Sequence, residues 1–446
     1  MMRKNLMLLW ILALPFFNAP VLNNNLFDVT GLKLINLIAA LAFFALLNGT
    51  RTFHVSDRLE KWALIALGIY AAFFTLAIFR SLDNIRTFHA EMPKDFGPGL
   101  SNYLLSYYLR PLFELVPFIF ILKEMRSQAD MESVLRAIGA SILAMSCAFL
   151  VVVLILSPSA LGADRDLMSA TTEKYFGQHY NDMATIYFTT APIVAFLAIR
   201  RGGIWALNLF LAAVSILLLQ SRTGLIVFAA GVGSVLLIFR RVEYLAAGAG
   251  LVVVGAMAKM APTLETLVTE GIRGSHFTID SLLTDRTSTM WVPLIGEWVS
   301  DNNLLLFGAG RYGILTSPMW HVGRIYQAEH AHNAFIDFFL DSGIILLAGL
   351  VLTLLMLFTI AWRFGRRLHS RLYWCLLVCL FDYLMGTVTG QSFYPSYMNM
   401  LVFPIVALLI NVARHGLAPQ QPVPLSNGSA PVRRSLAAAR GAPAPM

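Results

Sequence analysis

Charge is scarce in this sequence. Asp, Glu, Lys and Arg together make up 13% of its 446 residues, while 57% are hydrophobic and the mean hydropathy is +0.68. Soluble chains carry about a quarter of their positions charged, so a water-soluble fold of this length is excluded. Cysteine is sparser still. Cys147, Cys375 and Cys379 all fall in apolar stretches and imply no disulfide framework. Cys375 and Cys379 share a helix face, but no third ligand stands near to complete a metal site, and they read as small core- or lipid-facing residues. No Gly-rich Walker sequence and no persuasive carboxylate pair is present, which leaves nucleotide-driven and glycoside-hydrolysing chemistry without a carrier.

What the chain does have is apolar length. Runs of roughly 17 to 25 residues, each enough to cross a hydrocarbon core of about 30 Å, recur along it. Twelve are expected: 6–27, 32–48, 62–79, 101–122, 134–156, 182–199, 203–220, 224–239, 244–262, 334–361, 372–390 and 397–413. The expected fold is therefore an all-α integral membrane protein with about 12 transmembrane helices spread over residues 1–415. The first run follows Arg3 and Lys4 but is interrupted by Pro15, Asn18 and Pro20 and lacks a clean cleavage site, so it reads as a helix rather than a signal peptide. Residues 416–446 are rich in Pro, Ala, Gly and Ser, have too little apolar surface to form a core, and are expected to be a disordered cytoplasmic tail.

Orientation follows from Lys and Arg, which stay in the cytoplasm. With both termini inside, Arg3, Lys4, Arg51, Arg58, Lys61, Lys123, Arg126, Arg136, Arg200, Arg201, Arg240, Arg241, Arg363, Arg366, Arg367, Arg371, Arg414, Arg433, Arg434 and Arg440 are cytoplasmic, 20 of the 33 basic residues. The net charge of +8 is thereby explained by topology, and no nucleic-acid partner is called for. The long insertions, about 80–100, 157–181 and 263–333, then lie outside. In the largest, Trp291, Leu294, Ile295 and Trp298 recur with the spacing of one helix face, which suits either a helix lying along the membrane interface or one packed within a small external domain. Asp285 or Thr287 could cap it, and Gly308-Ala309-Gly310 ends it.

Three places could carry chemistry. Arg222, in Ser221-Arg222-Thr223-Gly224, sits between two apolar runs with almost no loop. It could simply snorkel, or its guanidinium could hold phosphate oxygens in a bidentate fork. Arg286 precedes the Trp helix and Arg311 follows the glycine turn; a loop arginine is commonly a solvated charge, but beside a helix start it makes a plausible phosphate site. The densest polar cluster runs from Glu329 through His330, His332 and Asn333 to Asp337, directly into an apolar run. On a helix His330 and His332 would diverge by about 200°, which argues against a shared metal; adding His321 and Glu329 makes a zinc set conceivable. A histidine at the start of a membrane helix is better suited to general-base work, its ordinary pKa lying near neutrality, although a purely structural histidine would look the same.

The order Ser221-Arg222-Thr223-Gly224, then Arg286 with Trp291, then Phe307-Gly308-Ala309-Gly310, then His332-Asn333-Ala334-Phe335-Ile336 running into Asp341-Ser342-Gly343-Ile344, resembles the O-antigen ligase and polymerase superfamily. The motifs cover roughly residues 180–345. The resemblance implies a bacterial inner-membrane protein that acts on the periplasmic face as a metal-independent, inverting glycosyltransferase without cofactor. Its partners would be a glycan donor linked to undecaprenyl pyrophosphate, a glycan acceptor such as lipid A core, and membrane lipids. It implies pyrophosphate binding by Arg222 and Arg286 and general-base catalysis by His332. Arg311, Asn333 and His330 are further candidates for contacting pyrophosphate or acceptor, Asn333 also for orienting His332. A ligase that moves a finished glycan is favoured over a polymerase because one dominant loop carries both Arg286 and His332; a protein O-glycosylation ligase shares that plan. The rival class is a transporter, for which Asp382 and the Glu114–Arg110 pair are the few ionisable residues in the apolar spans.

Overall fold

The computed structural model describes residues 2–24, 33–49, 54–93, 96–97, 99–160, 165–241, 287–321, 330–368, 370–388, 390, 393–394 and 400–415. The expected span 244–262, the loop residues 263–286 and 322–329, and the tail lie outside them. The described chain is almost wholly helical, with no strand among the described residues. The main helices are α1 (Met2–Ala13), α2 (Leu34–Leu47), α3 (Arg58–Arg80), α4 (Leu100–Glu124), α5 (Gln128–Leu156), α6 (Arg165–Phe176), α7 (Tyr180–Arg201), α8 (Ile204–Leu218), α9 (Arg222–Ile238), α10 (Val292–Ser300), α11 (Asn302–Phe307), α12 (Ala334–Leu368), α13 (Arg371–Thr387) and α14 (Val402–His415).

Five of these, α3, α4, α5, α7 and α12, are long and apolar enough to cross a membrane, as a membrane protein requires. Others are shorter: the 15 residues of α8 rise only about 22 Å. The first apolar run is not one continuous helix. α1 ends at Ala13, a 3₁₀ turn covers Leu14–Phe16, and a four-residue helix follows at Pro20–Asn23, because Pro15 and Pro20 bring no N–H to the ladder. α4 is likewise uneven, π-helical over Leu104–Leu109 and broken at Glu114 and Leu115 ahead of Pro117.

Two cores organise the molecule. The larger centres on α7, whose sides are buried against α5, α8, α9 and α13. One end of this bundle is a layer of ion pairs: Arg3–Glu124, Lys4–Asp130, Arg201–Glu132, and Lys123, Arg126 and Arg414 around the buried carboxylate of Glu60. A buried carboxylate needs such partners, since stripping it of water costs several kcal/mol. These basic residues were assigned to one membrane side from sequence, and the structure gathers them at one end of the bundle. α3 starts in that layer and α8 starts beside it, so the C-terminus of α3 and the N-terminus of α9, with Arg222, lie at the opposite end.

The smaller core stands at that opposite end. It packs Phe74 and Ile78 of α3, Phe88, Tyr103, Trp298 of α10, Ile314, Trp320, Phe338 of α12 and Tyr394. Its frame is a crossing of two chain segments. α12 breaks at Gly343 (φ 74, ψ 179), which deprives the carbonyls of the preceding turn of their helical donors. The carbonyl of Leu340 instead accepts from the Ala309 N–H (2.8 Å) and the Trp298 indole (2.9 Å), and that of Asp341 from the Gly310 N–H (2.9 Å). The same loop reaches the last turn of α3: the Arg311 N–H donates to the Ala77 carbonyl (2.7 Å) and Arg80 Nη2 to the Gly308 carbonyl (2.6 Å). The segments are so close that a Cβ on Gly343 would lie 2.3 Å from the Leu306 carbonyl oxygen, and one on Gly308 (φ 70) 2.4 Å from the Asp341 backbone.

Gly343→Ala should therefore destabilise by on the order of 2–4 kcal/mol, combining left-handed strain with a backbone clash. Gly349→Ala, where a new Cβ would meet only Phe73 at 3.8 Å, should remain near wild type. Thermal unfolding in detergent compares the two; equal midpoints would show that the crossing is loose.

Candidate functional site

The His330–Asn333 segment enters α12 at this end. Asn333 caps the helix, its Oδ1 accepting from the N–H groups of Phe335 (3.0 Å) and Ile336 (3.2 Å). It was expected to orient His332 or an acceptor; its side-chain oxygen is spent on the cap, where asparagine is favoured. Ala331 is fully buried and gripped from two sides: its N–H donates to Asp337 Oδ1 (2.5 Å) and its carbonyl accepts from the Trp291 indole (2.7 Å). Thus α12 reaches back through Asp337, and the turn before α10 reaches across through Trp291, to hold the segment rigid.

His332 follows in the left-handed region (φ 53), a conformation a non-glycine residue keeps only where its surroundings impose it. Its backbone N–H donates to His330 Nδ1 (3.1 Å), and the two rings meet edge to face with centroids 4.2 Å apart. Both imidazoles are half-buried. The separation expected from helical spacing does not apply, because the pair lies in the loop before the helix. His330 is thus structurally tied to His332, and its accepting Nδ1 leaves the proton of the neutral ring on Nε2. Among the described residues no group of three metal-ligating side chains occurs; Glu329 and the His321 side chain lie outside them.

One turn further along α12, Asp341 holds the other side of the site. Its Oδ2 accepts from Arg311 Nη1 (3.0 Å) and its Oδ1 from the Gly313 N–H (3.3 Å). The Arg311 guanidinium carbon lies 4.1 Å from the Tyr312 ring centroid and 5.1 Å from that of Tyr394. Burial works against the guanidinium charge, but Tyr312, Asp341 and Asp337 outweigh it and hold its proton more tightly than water would. Arg311, a candidate for binding pyrophosphate, is therefore a largely enclosed tether, 12% exposed, with its carboxylate already in place. Ser342 shares a hydroxyl contact with Tyr394, fastening the same turn.

Arg222 opens α9 behind a Ser221 cap, whose Oγ accepts from the Gly224 N–H (3.3 Å). Its side chain is exposed and has no hydrogen-bond or ion-pair partner among the described residues. α9 packs on α7 and α13, so Arg222 shares the end of the bundle with the His segment but not its contacts. Arg286 and Asp285 lie outside the described residues; the next residue, Thr287, begins a π-helical turn that ends at Trp291. The Trp-bearing helix is packed, not laid on Trp: Trp298 and Leu294 are buried against α12, Trp291 is half-buried and Ile295 exposed.

Sequence inspection gave no role to Asp337 or Asp341. Two acids one turn apart at the start of an apolar helix were the available signal, since a membrane helix carries carboxylates only where they have work or partners. Of the ionisable residues that spoke for a transporter, Arg110 donates to Asn18 Oδ1 (2.6 Å) and to the Phe17 carbonyl (3.3 Å), while Glu114 and Asp382 are buried, each with one carboxyl oxygen lacking a hydrogen-bond donor among the described residues.

Removing either partner of the Arg311–Asp341 pair should cost about 3–5 kcal/mol by leaving the other buried and unpaired. Arg311→Met combined with Asp341→Leu should cost clearly less than the sum of the two singles. Strict additivity in detergent unfolding would show that the pair does not act as a unit. Comparison of the chain with family models and with curated proteins gives no match.

Proposed function

We propose that the chain is a membrane glycosyltransferase that moves a glycan en bloc from undecaprenyl pyrophosphate to an acceptor such as lipid A core, on the periplasmic face of the bacterial inner membrane. The observation that carries this is the half-buried His332 imidazole, held on a braced loop at the same end of the bundle as the exposed guanidinium of Arg222. Transfer from a lipid pyrophosphate requires those two functions. An acceptor hydroxyl gives its proton to the His332 ring, its oxygen attacks the anomeric carbon from the face opposite the leaving group, and the carbon–oxygen bond to pyrophosphate breaks. The departing pyrophosphate takes the electron pair, and guanidiniums stabilise its charge. Arg222 and Arg286 fill that role, while Arg311 supports the scaffold. His330 acts through its bond to the His332 backbone.

His332→Ala should remove on the order of 10² to 10⁴ of the transfer rate with donor binding largely kept. Arg222→Ala and Arg286→Ala should weaken donor binding as well, with Lys restoring them only in part because it lacks the fork. His330→Ala should cost about tenfold, the scale of one hydrogen bond. Abolished transfer in His330→Ala alongside near-normal His332→Ala would overturn the assignment. Activity should also survive chelator.

Glycan profiling of a deletion strain tests the reaction itself. Loss of all attached polymer is expected, a single-repeat product would indicate a polymerase, and an unchanged profile would reject the proposal. Sidedness is checked by thiol labelling in a Cys147→Ala background: Asn303→Cys should react with a membrane-impermeant reagent in intact cells and Arg366→Cys only after permeabilisation.

A further inference from the structure

We propose that α10 and α11 form a membrane-docking surface that rests on the bilayer at the level where α12 enters the lipid. The face involved is the reverse of the one that the Trp spacing suggests. Leu294 and Trp298 turn inward to the smaller core, and the opposite side of α10 presents Val292, Ile295 and Val299, exposed at 61%, 36% and 52%. The one charged side chain of α10, Glu297, points back into the protein and accepts a hydrogen bond from the Ser317 hydroxyl. The outer face of this helix is therefore uncharged and aliphatic. The adjoining helix α11 also exposes Leu306 and Phe307.

An isolated exposed valine needs no explanation, but a contiguous apolar patch does. The occupant is indicated by what adjoins the patch. The Leu306–Phe307 backbone touches α12 at Gly343, and the next two residues of α12, Ile344 and Ile345, are exposed as well. They begin the apolar stretch of α12, which is long enough to cross a bilayer and in its most apolar window has no fully buried residue. The patch on α10 and α11 is thus the upward continuation of a surface that lipid must cover. Its rim is marked by Arg80, whose guanidinium lies over the Phe307 ring (5.7 Å) and donates to the Gly308 carbonyl, the placement of a cation that keeps its head at the polar edge of an apolar surface. A short helix with one face in the protein and one aliphatic face outward suits the boundary between headgroups and acyl chains. Seated there, it sets the Gly308–Arg311 crossing and the His segment at the membrane surface. The proposal does not depend on glycosyl transfer.

Nitroxide labels on Val292→Cys, Ile295→Cys and Val299→Cys, in a Cys147→Ala background, test it in vesicles of phosphatidylethanolamine and phosphatidylglycerol. Asn303→Cys, at an exposed polar position of α11, and Leu352→Cys, on the exposed face of α12, serve as water and lipid references. Dissolved oxygen should relax the three test labels several-fold more effectively than a water-soluble nickel chelate does, as at position 352, with the order reversed at 303. Test labels that follow position 303 would show a water-facing helix and overturn the proposal. Labels shielded from both relaxants would overturn it equally, by showing that protein, a second copy or another segment of this chain, covers the face.

Discussion

The break of α12 at Gly343 is the constraint on which the candidate site depends. A helix that stops and restarts leaves carbonyls without donors, and in an apolar setting those carbonyls must be satisfied. The chain answers with the Gly308–Arg311 loop and the Trp298 indole, which donate to Leu340 and Asp341. Because the donors come from backbone as well as side chain, the two segments must touch, and glycine is required on both sides of the contact. The same loop hydrogen-bonds the last turn of α3. Three elements far apart in sequence are thereby locked at one end of the bundle, and the His segment enters from there.

Two carboxylates on α12 distribute this rigidity. Asp337 pins the His segment through Ala331, and Asp341, one turn on, pins Arg311 and Gly313. Both are buried, and each offsets the cost of its own burial by the bonds it accepts. Arg311 illustrates how burial changes a residue's role. In a loop it could have met an anionic ligand, but it is largely enclosed by Tyr312, Tyr394 and Asp341, and its Nη1 is already given to a carboxylate. Arg222, exposed at a capped helix start, is not so enclosed.

The far end of the bundle relies on charge instead. Glu60 gathers Lys123 and Arg126 from the end of α4 and the turn after it, and Arg414 from the end of α14. An ion layer at one end and a hydrogen-bonded backbone crossing at the other bracket an interior of mainly apolar packing, pinned by a few buried hydrogen bonds such as that from Asn208 Nδ2 to the Gly139 carbonyl (2.8 Å).

Much of the helical framework was legible in the residues themselves, because an apolar run and a proline break act locally: the interruptions at Pro15 and Pro20, the apolar stretch of α12 and the segregation of Arg and Lys are properties of neighbouring positions. Asn333 was assigned to His332 or an acceptor, although asparagine before an apolar run also carries the capping signal that the structure shows. The pairing of Arg311 with Asp341, the contact between His330 and His332, and the choice of which face of α10 turns inward were not legible. The first joins residues 30 positions apart. The second arises from a left-handed residue in a loop, where helical periodicity has no hold, and the third depends on which carbonyl Trp298 could reach. Sequence by itself determined which long apolar segments form helices and where charge gathers, since those follow from short-range transfer free energies. Only the tertiary structure decided which polar groups are spent on the scaffold and which stay exposed, because that depends on which distant backbone groups each break in a helix leaves unsatisfied.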